Sequence, residues 1–212
     1  MKKLLQIPPA DRDQKWEEQF LTKLAGCSFK LQNDHPITGP DNMPYLAVEI
    51  VEKGEPAVKV LRWLGEKGVG LVVNPQGLAP DFVLTYGMIW NFLENGRFVE
   101  KVDSDVPPEG NFQMLEGQKM FAGVPSDQYL PQSVREIMKL FLNDQGIKEP
   151  RIVMLSQDNE NFDLCFSAES LGNPPQEEWR GILEGFSWFF PLHYSLSIIS
   201  EQAIKDFQFI RL

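Results

Sequence analysis

A chain of 212 residues with 42% hydrophobic and 24% charged side chains can bury a sizeable core, as one large domain or two small ones, and wholesale disorder is excluded. Thirty acidic side chains against twenty basic ones give a formal net charge of −10, a field that repels phosphate backbones and anionic lipid. No Lys/Arg run offers a local exception, so neither nucleic acid nor membrane is expected as a partner, and protein is the expected partner class.

In chain order, Met1–Pro9 begins like a secretory leader, but Gln6 breaks its apolar run and Pro8 ends it, too short for such a segment. No apolar stretch is long enough to span a bilayer, and the expected compartment is the cytoplasm. Asp11 to Ala25 reads as an amphipathic helix, with Asp11 and Gln14 spaced like a capping box, an apolar face of Trp16, Phe20, Leu21 and Leu24, and Gly26 as its stop. A short strand at 27–32 and a Pro/Gly-rich loop at 33–44 lead to a strand over Tyr45–Val51. Pro56 opens a helix through Val60, Leu61 and Leu64. Strands follow at Val69–Val73 and Asp81–Thr85, then a helix over Gly87–Asn95 that Gly96 closes.

Residues 103–118, with Pro107, Pro108, Gly110 and Gly117 among acidic side chains, read as a linker or long loop. Beyond it the same grammar restarts. Met120–Val124 reads as a strand, and Pro131 heads a helix ended by Gly146. Arg151–Leu155 and Phe162–Ala168 form a hairpin around residues 157–161. Asn173-Pro174-Pro175 leads into a helix carrying Trp179, Ile182, Leu183, Phe186 and Phe190, which Pro191 ends. Strands over Tyr194–Ile199 and Phe207–Ile210 close the chain around a helical turn at 200–206. The order predicts an α+β fold of two halves, each a small sheet covered by helices, without a repeat in sequence.

Catalytic patterns are scarce. Gly65, Gly68 and Gly70 give GxxGxG at a helix end, whereas a phosphate cradle must feed a helix start. Ser187 sits in half of a nucleophile elbow, but inside a predicted helix. His35 and His193 are the only histidines, and Cys27 and Cys165 fit no CxxC pattern. No metal or cofactor is expected, and both thiols are expected to be buried in strands. Asp158, Glu160 and Asp163 fail the calcium-loop pattern, since Phe162 stands where an oxygen ligand is needed. Residues 71–90 stand out: an apolar strand, the Asn74-Pro75 turn, a second strand, and a helix opening at Thr85-Tyr86-Gly87. Thr85 is placed to cap that helix, and Tyr86 and Trp90 lie one turn apart. Two core aromatics under a capped helix is one reading. A recognition surface of Asn74, Pro75, Tyr86, Gly87 and Trp90 is the other.

This segment, Val72-Val73-Asn74-Pro75 followed by Phe82 to Trp90, resembles the N-terminal domain of the SseB, or enhanced-serine-sensitivity, protein family. The second half, from its Leu130-Pro131 lead-in onward, is similar to that family's C-terminal domain, although the chain ends Phe209-Ile210-Arg211-Leu212 where the family pattern implies a Pro-Phe-Tyr type ending. The resemblance implies domains at 1–102 and 119–212 of a cytoplasmic bacterial protein without an established catalytic residue. The expected function is that of a non-enzymatic binding, regulatory or adaptor protein. The alternative is a small hydrolase or transferase using carboxylates or Ser187, a reading that clustering of Asp81, Glu94 or His35 in one pocket would favour.

Overall fold

Residues 1–77, 79–100, 120–204 and 207–212 are described by the computed structural model, and the expected linker at 103–118 lies outside them. The chain divides into two units, Met1–Glu100 and Lys101–Leu212. Each holds one sheet with helices, as an α+β fold requires.

Unit 1 begins with α1 (Lys2–Leu5), a 3-10 turn at Pro9–Asp11 and α2 (Gln14–Leu24). The cap of α2 is Asp13, not the expected Asp11: its carboxylate accepts from the Trp16 amide at 2.8 Å. Asp11 is taken up by the 3-10 turn, for which the fixed φ of Pro9 is already set. Trp16, Phe20, Leu21 and Leu24 are buried at the predicted helical spacing. Leu4 joins the same core, and its carbonyl accepts from the Trp16 indole at 2.9 Å.

The sheet of unit 1 comprises β1 (Ser28–Leu31), β2 (Ile37–Thr38), β3 (Pro44–Val51), β4 (Glu55–Pro56), β5 (Gly70–Val73) and β6 (Phe82–Leu84). Its order is β4-β1-β3-β5-β6, with β2 pairing β3 inside the expected loop. β1 runs antiparallel to β3, and β5 parallel to it through the crossover helix α3 (Ala57–Lys67). Gly68 ends α3 in the left-handed region at φ 67°, where a side chain would be strained. Then β6 returns antiparallel and feeds α4 (Tyr86–Asn95). Period-two alternation puts Phe29, Leu46, Val48, Leu71, Val73 and Leu84 on one face. There they pack with Phe20, Leu24, Leu61, Leu64 and Ile89 from the helices.

Unit 2 holds β7 (Phe121–Gly123), α5 (Gln132–Asp144), β8 (Arg151–Ser156), β9 (Asp163–Ser167), α6 (Trp179–Ser187), β10 (Ser195–Ile199) and β11 (Ile210–Arg211). The sheet order is β10-β9-β8-β11, with β7 also pairing β8. β8 and β9 are the expected hairpin, and β10 lies parallel to β9. Phe166 on β9 meets Phe186 at 4.8 Å and Phe190 at 6.2 Å, and Phe141 of α5 meets Phe189 at 4.7 Å. On the other face Val153, Leu155 and Cys165 pack with Ile204, Phe207 and Phe209.

Three boundaries differ from expectation. Helix α6 stops at Ser187, and a turn through Phe189 and Phe190 intervenes before Pro191. The last strand is only Ile210–Arg211, because Phe207 and Phe209 turn onto the sheet rather than extend it. Cys165 is buried in β9 as expected, but Cys27 precedes β1, half-exposed, and its thiol donates to the Lys23 carbonyl at 3.4 Å.

Candidate functional site

The residues singled out in 71–90 serve the framework of unit 1. Asn74 lies at φ 51°, a conformation that asparagine tolerates better than most side chains. Its amide donates to the Val48 carbonyl at 2.7 Å, and its Oδ1 accepts from the Ile50 amide at 2.9 Å. Its Nδ2 donates to Asp81 Oδ2 at 2.7 Å. Asp81 Oδ1 in turn accepts from Arg12 Nη2 at 2.6 Å, and that guanidinium lies 4.5 Å over the Trp16 ring. Arg12 also donates to the carbonyls of Asp81 and Ile7. Asn74 therefore latches β3 to the turn that Pro75 opens, and Asp81 fastens that turn to the start of α2.

Thr85 caps α4 as predicted, its Oγ1 accepting from the Met88 amide at 3.3 Å. Tyr86 and Trp90 are 0% and 3% exposed, and Gly87 between them is buried too. An anchor for a partner has to reach solvent, so the two-core-aromatics reading of this helix replaces the recognition surface. Burial, with the Glu94 charge adding to it, raises the Tyr86 phenol well above its ordinary value.

Ser187 Oγ donates to the Glu184 carbonyl at 2.7 Å, a bond back along its own helix rather than to a base. His193 stands edge-on to Tyr194 at 4.9 Å, while His35 is exposed in the loop before β2. Asp81 is engaged by Arg12 and Asn74. Among the described residues no group of three His, Cys, Asp or Glu could hold a metal ion.

A site that sequence reasoning missed lies in unit 2. Residues from β7, the segment after it, β8 and the β8–β9 hairpin tip enclose a depression of about 560 Å³. Met120, Ala122, Val124, Met154 and Phe162 supply apolar lining; Ser126, Tyr129 and Asn159 supply polar groups. The volume falls within the range of ligand clefts, roughly 300–1,000 Å³.

The walls are held by their own hydrogen bonds. Asp158 accepts from the amides of Asn161 and Glu160, each at 2.8 Å, from Asn161 Nδ2 at 2.8 Å, and from Ser156 Oγ at 2.9 Å. These donors, the Asn161 amide first, hold its carboxyl far below the usual aspartate range and fix the hairpin tip. The expected hairpin thus closes without glycine because Asn159 takes the left-handed turn at φ 64°. Tyr129 stacks on Tyr194 at 4.4 Å, and the Tyr194 hydroxyl donates to the Tyr129 carbonyl. Burial pushes Tyr194 up to about 12. It also raises Tyr129, with the neighbouring Tyr194, Asp163 and Cys165 adding to the effect. Asp163, beside this pair, is raised by burial against a countering hydrogen bond from Ser195.

A second depression of unit 2, about 740 Å³, is lined by Lys148, Glu149, Arg151, Ser170 and Arg211. Its charges largely satisfy one another: Arg151 grips Glu201 through both terminal nitrogens at 2.8 and 2.9 Å, and Arg211 pairs with Glu149 at 3.1 Å.

Comparison of the chain with family models, with curated proteins and with solved structures gives no match.

Proposed function

We propose that this is a non-catalytic binding or regulatory protein whose ligand surface is the depression on β7 and the β8–β9 hairpin tip. The observation that carries the reading is the lining itself, with Val124 60% exposed and Phe121, Ala122 and Phe162 partly so, on walls whose polar groups already hold one another. Such a surface offers burial of apolar area and little chemistry. Protein is the proposed partner class, in keeping with the acidic charge, and the cytoplasm of a bacterium is the proposed setting. The resemblance of residues 71–90 to the SseB family supports the same reading. No helix among the described residues is long and apolar enough to cross a membrane.

The test is peptide display against the immobilised protein, wild type beside Gly123→Leu. Gly123 lies in the depression with nothing within 4 Å of where a Cβ would stand, so a leucine there fills the floor without an internal clash. Peptides enriched on the wild type and lost on the folded variant support the reading. Equal enrichment on both contradicts it.

Asp163 favours a second reading, a small hydrolase or transferase, because a half-buried carboxyl with a raised pKa beside Tyr129 has the character of a general acid. Turnover in a panel of esters, phosphate esters and glycosides, abolished in an Asp163→Asn variant whose circular dichroism matches wild type, would select it over the first.

A further inference from the structure

We infer that the depression of unit 2 takes a short peptide segment in which a bulky apolar side chain is flanked by lysine or arginine. This rests on the reading of the depression as the binding surface and adds the chemistry of its occupant.

The floor sets the centre of that segment. Met120 and Met154 bring flexible, polarisable thioethers that adapt to differently shaped apolar groups. Gly123, also in the lining, has nothing within 4 Å of where a Cβ would stand. Room of this size holds one or two large side chains rather than a folded surface.

The rim sets the flanks. Asp127 sits between the lining residues Ser126 and Tyr129, while Asp158 and Glu160 sit on either side of the lining residue Asn159; all three acids are exposed. They come from two separate segments next to lining residues and carry one sign. Among the described residues, Arg135 on α5 is buried and donates to the carbonyls of Pro125 at 2.7 Å and Leu130 at 3.0 Å. The wider field agrees. Residues 1–100 carry eleven Lys and Arg against thirteen Asp and Glu, whereas residues 101–212 carry nine against seventeen. An acidic rim around an apolar floor attracts a cationic peptide, orients it, and disfavours an acidic one of equal hydrophobicity.

Three fluorescein-labelled hexapeptides with a common Leu-Phe centre test this by fluorescence anisotropy on the full chain. One has Lys/Arg flanks, one Ser flanks and one Glu flanks. The basic probe should bind at least about tenfold more tightly than the acidic one, and the preference should shrink as salt rises from about 0.05 to 0.5 M. The Asp127→Asn/Glu160→Gln double variant should lose several-fold of the basic probe's affinity and leave the neutral probe unchanged. Asp158 is left in place there because it holds the hairpin tip. Gly123→Leu, checked for fold by circular dichroism, should lose both probes. Equal affinity for basic, neutral and acidic probes, all lost in Gly123→Leu, overturns the charge inference and leaves the binding surface standing. Binding that Gly123→Leu does not alter, or no binding of any probe to wild type, overturns the surface as well.

Discussion

Units 1 and 2 share a construction that their sequences do not. In each, a helix precedes an antiparallel strand pair, a crossover helix follows, and the next strand lies parallel to the second strand of the pair: α2-β1-β3-α3-β5 in one, α5-β8-β9-α6-β10 in the other. They part at what is appended and on the sheet face away from the main helices. Unit 1 adds β6 and α4 beyond β5, and its second face is finished locally. The Tyr45 ring lies over Gly70 and Gly39, its hydroxyl donates to Asp41 at 2.6 Å, and Lys30 stands in register with Glu49. Unit 2 adds β7 and β11 at β8, the edge where unit 1 carries the two-residue β4, and its second face is covered by Ile204, Phe207 and Phe209. Its depression is built on one of those additions, β7, and on the hairpin tip. The shared motif supplies the scaffold in both units, and the proposed binding surface belongs to what only one of them carries.

Breaking that contrast hardest would be a finding that the aromatic pair of α4 is a surface after all. Trp90→Ala should cost about 3–5 kcal/mol, the usual loss for a large buried ring, read as a shift in the urea midpoint. A shift near zero would return residues 86–90 to the list of binding candidates. Next in size is Asp81→Ala, which leaves Arg12 and Asn74 without their shared acceptor. The pair is mostly but not fully buried, so a loss of about 2 kcal/mol is expected, below that for a fully desolvated ion pair.

Two glycines sharpen the comparison. A Cβ at Gly70 would stand 2.6 Å from the Tyr45 ring and 2.8 Å from the Leu84 carbonyl, so Gly70→Ala should destabilise by about 1–2 kcal/mol. Gly123 in unit 2 faces open space, and Gly123→Leu should move the midpoint by less than about 0.5 kcal/mol. Comparable losses at both would mean the floor of the depression is not open.

The smallest expected effect is on acid stability. Asp158 is held below the usual aspartate value of 3.8, so its contribution is full above that value and is lost as pH falls through its folded-state pKa. Wild type and Asp158→Asn should therefore differ in melting temperature at neutral pH and converge in acid. Asp163 works with the opposite sign: its raised carboxyl favours the fold at low pH and loses that contribution as pH rises. Asp163→Asn should then stabilise the protein at neutral pH while leaving the acid limb alone.

Most of the scaffold was legible because its signals are local. Thr85 three residues before Met88, Gly96 past the last helical turn of α4, and the apolar spacing of Trp16, Phe20 and Leu24 each report a helix from within a few positions. The cap of α2 was misplaced by two residues because Asp11 and Asp13 offer the same carboxylate, and the prolines upstream decide which one is left outside the 3-10 turn. The burial of Tyr86 and Trp90 was hidden for a different reason. Tyr and Trp are anchors when exposed and core when buried, and sequence does not say which. The depression had no local signal at all, being assembled from residues 120–124, 126, 129, 154, 159 and 162, which meet only when β7 pairs with β8. The Arg12–Asp81 latch was equally hidden, joining positions 69 residues apart.

Hydrogen exchange of the full chain, read by mass spectrometry with and without the basic Leu-Phe hexapeptide, tests the central claim most directly. The account predicts slowed exchange over residues 120–129 and 154–162 and unchanged exchange over 71–95. Protection confined to 71–95, or none at saturating peptide, would contradict it.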